Sequence, residues 1–333
     1  MDFMTALRGV RALVRARRRL RGPRLPTWDE NFETWATVLH HYATRSTWLP
    51  LAVQRAALGW VPRPPAGPLS YERVSAGGVP AEWFRTLESD RARVLLYLHG
   101  GGYSVGSVDS HRDFVGRLCR ASGLTALSVD YRLAPEHPFP AQLDDARAAY
   151  RWLLASGIAP ERVVIAGESA GGGLTLSLLT WLRDHKQPLP SGAALISPWL
   201  DLEANSPSTR SNAPYDYLSV AVLRSYAARF VSPRDLRNPL AAPIHADLRG
   251  LPPLLVQAGG AEVLLDDATR LAARAGEAGV RVELDVAEDM IHAYPMFASF
   301  FPRCQQAVDE LARFMRARVG LSTEAPELGE RIA

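Results

Sequence analysis

The chain has 333 residues, of which 47% are hydrophobic and 22% charged, and its formal net charge is +3. This balance is typical of a globular protein with one large domain and an inserted or appended piece. The small net charge argues against a nucleic-acid-binding protein, and no apolar run is long enough to span a membrane. The only cysteines, Cys119 and Cys304, predict neither a disulfide framework nor a zinc cluster. We therefore expect a cytoplasmic protein without a secretory signal.

Residues 1–24 combine a short apolar stripe with many arginines. The stripe has helical spacing and consists of Phe3, Leu7, Val10 and Val14. A basic amphipathic helix of this kind can pack its stripe on the protein body, or it can lie on an anionic membrane surface. We favour packing, because the apolar face is short and carries one aromatic side chain.

From about residue 93 onward, short apolar segments alternate with helical patterns. This alternation predicts a mostly parallel sheet with helices on both faces. The strands are predicted at 94–98, 124–129, 163–166, 193–196, 254–257 and 280–286, and the helices at 110–121, 144–155, 174–184, 266–278 and 304–319. In such sheets, ligands bind beyond the carboxyl ends of the strands, and every unusual motif of the sequence lies at such an end.

Two proline-containing, helical regions interrupt this alternation, at residues 1–70 and about 203–245. We predict that they form two halves of a cap over the ligand-binding edge of the sheet. The catalytic domain then spans 71–320, with the second cap half inserted into it. Residues 321–333 are predicted to be a frayed polar tail.

Gly167-Glu168-Ser169-Ala170-Gly171 reads G-x-S-x-G between a predicted strand and a predicted helix. Such a turn holds its serine in a strained conformation and requires small neighbours, so Ser169 is the predicted nucleophile. The helix N-terminus behind it adds positive partial charge where an oxyanion would form. The alternative is a glycine-rich helix start with an N-capping serine.

His99-Gly100-Gly101-Gly102 follows the predicted strand that ends at Leu98. Glycines allow backbone N–H groups to approach a substrate closely, so we predict an oxyanion hole formed by the N–H groups of Gly101, Gly102 and Ala170. We expect His99 to be a structural hydrogen-bonding residue. Tyr103, next to this loop, is a candidate for lining the substrate pocket or for packing.

His292 follows the last predicted strand and is the only histidine downstream of the predicted acid, so we predict it to be the general base. Glu262 lies just beyond a strand end and is the favoured acid. Asp266 and Asp289 remain alternatives, although acidic residues such as Asp266 are common in the first turn of a helix. The other histidines show no metal spacing and are expected at the surface or in loops: His40, His41, His111, His137, His185 and His245.

Five segments occur in the order HGGG, DYRLAPEHPFPAQLDDA, GESAGGGL, LPPLLVQAGGAEVLLDD and EDMIHAYPMF. Together they resemble the bacterial hormone-sensitive-lipase family of esterases, over roughly residues 70–315. The resemblance implies an α/β-hydrolase fold with an eight-stranded core and a helical cap. It supports Ser169, His292, Gly101 and Gly102, and it favours Glu262. The family most often has aspartate at the positions of Glu168 and Glu262.

The resemblance also implies hydrolysis of short- to medium-chain acyl esters. We therefore expect a serine esterase acting on a small ester through an acyl-enzyme, with no metal and no organic cofactor. The alternatives are an amidase or N-deacetylase with the same triad, an interfacial lipase, and a non-catalytic ligand-binding relative. A homodimer is possible because family members often dimerise, but no segment carries an interface signature.

Overall fold

Eight strands form one sheet in the computed structural model, which describes residues 3–46, 48–58 and 67–323. In chain order they are β1 (Ser70–Ala76), β2 (Val79–Arg85), β3 (Asp90–Leu98), β4 (Leu124–Val129), β5 (Val163–Glu168), β6 (Gly192–Ile196), β7 (Leu254–Gly259) and β8 (Val282–Ala287). Their spatial order is β1-β2-β4-β3-β5-β6-β7-β8. The pairs β1/β2 and β2/β4 are antiparallel, and the remaining neighbours are parallel. The predicted eight-stranded, mostly parallel sheet is thus confirmed.

The helices of the described residues lie before the sheet and between its strands. They are α1 (Phe3–Arg21), α2 (Glu30–Ser46), α3 (Leu51–Leu58), α4 (Val108–Ser122), α5 (Ala141–Ala155), α6 (Ala170–Asp184), α7 (Ser208–Ser211), α8 (Val220–Phe230), α9 (Leu265–Glu277) and α10 (Pro302–Arg318). Every strand and helix predicted after residue 93 is present, with ends displaced by at most four residues. Helix α6 starts four residues earlier than predicted, and its first turn contains glycines that pack where a Cβ would overlap the backbone of β3 and of Trp199.

The β1–β2 hairpin was not predicted from the sequence. Ala76 pairs with Val79, so Gly77 and Gly78 form a two-residue turn, and both have positive φ (67° and 92°). Glycine pairs are typical of such turns. The strand β1 escaped prediction because it is mostly exposed and has little apolar patterning.

The sheet separates two hydrophobic layers. Successive side chains of β3 alternate between them: Leu96 and Leu98 face the layer that includes α5, α6 and α9, and Leu95 and Tyr97 face the layer that includes α4 and α10. All four side chains are fully buried. Each contributes roughly 1.5–3 kcal/mol by leaving water. Burial on both faces explains why the parallel strands read as continuous apolar runs.

Helix α1 packs on α2 through charged and apolar contacts. Val14 of the predicted stripe is buried, with 5% of its surface exposed. Arg17 and Arg18 pair with the buried carboxylate of Glu33 at 2.6 and 2.7 Å. The next segment is tied to the body by Trp28, whose Nε1 donates to the Asp289 carbonyl at 2.5 Å. These contacts support the packing interpretation of the N-terminal helix.

We expect no co-sedimentation of the protein with anionic vesicles at physiological salt. The arginines that would contact lipid phosphates include four that already pair with Glu30 and Glu33. Leu13 and Leu20 are nevertheless exposed, at 73% and 84%, so the matched control is Leu13→Ser/Leu20→Ser. Binding by the wild type that this double variant loses would instead place α1 on the membrane surface. Among the described helices, none is both long and apolar enough to cross a bilayer.

Residues 203–245, between β6 and β7, carry α7 and α8. Tyr226 of α8 packs so closely over Gly102 that a Cβ on that glycine would overlap its ring. This inserted segment therefore lies on the loop that follows β3. The proposed limits of the cap and of the catalytic domain remain predictions. Most of the predicted tail, residues 324–333, lies outside the described residues.

Candidate active site

Ser169 occupies the sharp turn between β5 and α6. Its backbone has φ 54° and ψ −119°, a strained combination for a residue with a side chain. The turn is held by the Ser169 N–H, which donates to the Ile196 carbonyl at 2.9 Å, and by the Trp199 N–H, which donates to the Ser169 carbonyl at 2.9 Å. At Gly171 a Cβ would overlap the carbonyl oxygen of Leu98. The structure therefore contains the strained strand–turn–helix geometry that the G-x-S-x-G pattern predicts.

The glycine loop lies beside this turn because β3 and β5 are parallel neighbours, with Leu98 opposite Gly167. Gly101 and Gly102 have positive φ, 109° and 58°, which only glycine adopts without strain. Ala170 is the first residue of α6, so its N–H has no acceptor within the helix. The three predicted oxyanion donors thus sit on two adjacent chain segments at the carboxyl edge of the sheet.

The side chain of Glu168 holds the glycine loop in place. Its buried carboxylate accepts hydrogen bonds from the Gly100 N–H and the Tyr97 hydroxyl, and it pairs with Nε2 of His111 at 2.8 Å. Burial opposes ionisation of Glu168, but His111 and the hydrogen bonds lower its pKa overall. The prediction of His111 as a surface or loop residue is wrong: it lies on α4 with 4% of its surface exposed. Sequence spacing gave no signal for a pairing between residues 57 positions apart.

His99 and Tyr103, which flank the glycines, are both buried. Nδ1 of His99 bonds the Gly100 carbonyl at 2.7 Å, and its ring stacks on Tyr131 at 4.2 Å. Burial lowers the pKa of His99 to about 4, so the ring is neutral, in keeping with the expected structural role. Tyr103 stacks on Phe230 at 3.7 Å. That position gives Tyr103 a packing role, and its contact with substrate remains a prediction.

His292 and Glu262 face each other in the interior, with 2% and 0% of their surfaces exposed. Nδ1 of His292 lies 4.0 Å from Oε1 of Glu262, and neither atom has a hydrogen-bond partner among the described residues. The distance is too long for a hydrogen bond, but catalytic hydrogen bonds are often long before substrate binds. A buried donor and a buried acceptor that lack any other partner are complementary.

The alternative acids are engaged elsewhere. Asp266 accepts the Ser208 N–H at 2.8 Å, and Asp289 accepts the Thr27 N–H at 3.1 Å. Within the described part of the chain, Glu262 is the carboxylate paired with His292. The geometry therefore favours Glu262.

Ser197 connects the acid to the loop of the base, a role that was not predicted from the sequence. Its hydroxyl donates to Oε2 of Glu262 at 2.6 Å and accepts the Ala293 N–H at 2.9 Å. The preceding residue, Ile196, accepts the Ser169 N–H. Ile196, the last residue of β6, and Ser197, the residue after it, thus connect the nucleophile turn, the acid and the base loop. The available signal was a polar residue directly after a fully apolar strand end.

Asp201, Glu203 and His245 offer ligand atoms within 4.8 Å of one another, a spacing that could hold a metal ion. Arg270 already pairs with Asp201 at 3.1 Å, and Arg237 pairs with Glu203 at 2.8 Å. Because these arginines satisfy the carboxylate charge, we assign no metal to this group, and a metal-free reaction remains a prediction.

The chain is similar to proteins of known class. A sequence profile of the alpha/beta hydrolase fold matches residues 95–296. An acetyl-hydrolase of Streptomyces hygroscopicus is 44% identical over 248 residues, which cover 74% of this chain and 83% of the relative. An esterase of Acinetobacter venetianus is 35% identical, covering 72% and 80%.

Solved structures agree with these relatives. An esterase from the bacterial hormone-sensitive lipase family superposes with a TM-score of 0.79 at 40% identity, covering 96% of this chain and all of that one. The esterase EstE5, soaked with p-nitrophenyl butyrate, gives a TM-score of 0.82 at 41% identity, covering 86% and 97%.

Proposed function

Because the chain belongs to the bacterial hormone-sensitive-lipase family of α/β-hydrolases and is a carboxylic ester hydrolase, we propose that it cleaves short- to medium-chain acyl esters through an acyl-enzyme on Ser169. The observation that carries the assignment of residues is the buried His292–Glu262 pair, whose facing atoms have no other partner in the described residues. Ile196 and Ser197 connect this pair to the strained Ser169 turn, which supports the assignment of a Ser-His-acid triad.

In the acylation half-reaction, Ser169 Oγ attacks the ester carbonyl while Nε2 of His292 takes its proton. Glu262 orients the imidazole and stabilises the imidazolium. The oxyanion accepts hydrogen bonds from the N–H groups of Gly101, Gly102 and Ala170. Each such donor contributes roughly 3 kcal/mol to transition-state stabilisation.

Acylation ends when the imidazolium gives its proton to the departing alcohol, which leaves the acyl group bonded to Ser169. The second half-reaction hydrolyses this acyl-enzyme. His292 then takes a proton from water as the water oxygen attacks the acyl carbon, and it gives this proton to Ser169 Oγ when the bond between Oγ and the acyl carbon breaks, so that the acid leaves and the free enzyme is regenerated. The chain's own groups supply nucleophile, base and oxyanion donors, so we propose a reaction without metal or organic cofactor.

We further propose that residues 1–70 and 203–245 form a two-part cap over this site. The packing of Tyr226 on Gly102 supports this role for the inserted half. The acetyl-hydrolase relative and the butyrate ester soaked into EstE5 support a preference for short acyl groups. Cys119 and Cys304 are both buried and free, in keeping with the proposed cytoplasmic location. Size-exclusion chromatography with light scattering distinguishes a homodimer from a monomer.

The proposed activity is tested with p-nitrophenyl esters from acetate to palmitate, and with p-nitroacetanilide as the matched amide. We expect the highest kcat/KM on short or medium chains and a far lower value on the amide. A folded protein that is inert on every ester would contradict the proposal, and faster cleavage of the amide would favour an amidase.

The acid limb of kcat/KM is expected below pH 6.5, the ordinary pKa of a histidine. Burial lowers the pKa of His292 to about 3 in the free enzyme. The base works only when neutral, so activity is lost as the pH falls through that lowered pKa. The pH dependence of kcat/KM on p-nitrophenyl butyrate measures this limb. A midpoint at or above 6.5 would show that the negative charge of Glu262 outweighs burial.

A further inference from the structure

Asp216 is a buried carboxylate in the inserted half of the proposed cap, between α7 and α8. Its side chain is fully buried, with 0% of its surface exposed. Burying a carboxylate is costly unless hydrogen bonds compensate, and here burial raises the pKa of Asp216 to about 7. The hydrogen bonds that Asp216 makes to other segments must therefore compensate for this cost.

The two oxygens of Asp216 reach the loops of both the base and the acid. Oδ1 accepts the backbone N–H of His292 at 3.1 Å. Oδ2 accepts the backbone N–H of Val263, the residue after Glu262, at 2.8 Å. One side chain therefore connects the backbones of two loops that diverge from the ends of β7 and β8.

Neighbouring residues of the same segment hold the acid loop from its other side. The Asn212 amide donates to the carbonyls of Gly260 and Glu262, at 3.2 and 2.9 Å. The Ser208 hydroxyl donates to the Val263 carbonyl at 2.8 Å. The acid loop is thus bonded through both its N–H and its carbonyl groups to residues 208–216, all of them within the proposed cap.

The N-terminal half of the proposed cap also contacts Asp216. Nδ1 of His40, on α2, donates to the backbone carbonyl of Asp216 at 2.7 Å. The contact chain runs from α2 through Asp216 to His292. The prediction of His40 as a surface or loop residue did not foresee this contact: His40 is half-buried on α2, and its ring joins the two halves.

We propose that Asp216 is a positioning residue for ester hydrolysis, which couples seating of the cap to the relative placement of His292 and Glu262. This inference rests on the proposed function. The facing atoms of the base and the acid are already 4.0 Å apart, so a further shift of either loop would break their alignment. A displacement of about 1 Å in an active site can cost on the order of 100-fold in rate.

The test is Asp216→Asn, with Asp267→Asn as the matched control. Asparagine keeps the shape but turns an NH₂ group toward one of the two N–H groups, which then repel each other. Asp267 is equally buried, at 1% exposure, its pKa is also raised to about 7, and it accepts two backbone N–H groups, from Leu200 and Asp201. Among the described residues, the hydrogen bonds of its carboxylate go to Leu200 and Asp201 rather than to the His292 or Glu262 loop. Its backbone N–H bonds the Leu264 carbonyl, a contact that the substitution keeps, and its side chain acts on Glu262 only through its charge.

We expect Asp216→Asn to lower kcat on p-nitrophenyl butyrate by about 10- to 100-fold with little change in KM. The downfield proton NMR resonance of the His292 imidazole should shift or broaden in the same variant. Asp267→Asn should reduce the midpoint of urea unfolding by a similar amount yet keep kcat and the resonance of the wild type. A merely structural role would move the unfolding midpoint alone.

Unchanged kcat in folded Asp216→Asn, or an equal loss in Asp267→Asn, would overturn the proposal. If Asp216→Asn does not fold, Asn212→Ala tests the same coupling, because it removes both amide contacts to the acid loop and leaves Asp216 in place. That variant should also lower kcat, and a wild-type kcat would count against the coupling. Failure of the proposed function is distinguishable, since the wild type itself would then be inactive.

Discussion

Ser169→Ala is expected to lower kcat on p-nitrophenyl butyrate by about 10⁵- to 10⁶-fold, because no acyl-enzyme can form without the hydroxyl. The oxyanion N–H groups belong to the backbone and remain in place, so a residual rate above that of water alone is expected. The fold should be unaffected, since the turn is held by backbone hydrogen bonds of Ser169 to Ile196 and Trp199. Steady-state kinetics and the loss of covalent labelling by phenylmethylsulfonyl fluoride measure the effect.

Ser177→Ala is the matched control for this experiment. Ser177 lies on α6, the helix that follows the Ser169 turn, is buried, and donates its hydroxyl to the Gly173 carbonyl at 3.0 Å. We expect it to retain the activity and labelling of the wild type. Residual activity of Ser169→Ala within about 10-fold of the wild type would exclude Ser169 as nucleophile, since loss of a triad serine costs far more.

Glu262→Gln is expected to lower kcat by about 10⁴-fold, the cost typical of neutralising a triad acid. The glutamine cannot stabilise the imidazolium that forms on His292, and its NH₂ group can select the wrong tautomer. Little stability should be lost, because burial raises the pKa of Glu262 well above its ordinary value, and the interior therefore tolerates a neutral group. Kinetics and urea unfolding on the same preparation separate the two effects.

Asp266→Asn is the comparison variant for the acid. Asp266 lies four residues beyond Glu262, in the first turn of α9, and accepts the Ser208 N–H. We expect a loss that is smaller by at least about two orders of magnitude. A larger loss of kcat in Asp266→Asn than in Glu262→Gln would assign the role of triad acid to Asp266 instead of Glu262.

The parallel core and the positions of the motifs could be predicted from the sequence for a physical reason. Strands buried on both faces must be continuously apolar, which makes β3 to β7 visible as short runs. The parallel register then brings the residues after those strands to one edge, where Ser169, the glycine loop and Glu262 lie. The hairpin of β1 and β2 lacks this pattern, because β1 is largely exposed.

Contacts between distant segments could not be predicted in the same way. Glu168 with His111, Ser197 with Glu262, and Asp216 with His292 pair across 57, 65 and 76 positions. Each pairing depends on how loops pack after the sheet has formed. A single sequence contains no periodicity that reports such packing, and a polar residue in a loop looks the same whether it is buried or solvated.

The attachments of the inserted segment bear on protein engineering. Exchanging this segment between related esterases is a direct way to alter the acyl group accepted, since residues 203–245 form one continuous stretch between β6 and β7. The segment is nevertheless not a removable module. Asn212 and Asp216 belong to it by sequence but bond to the acid and base loops. A chimera must therefore keep these two residues from the host enzyme and take from the donor only the residues that follow them.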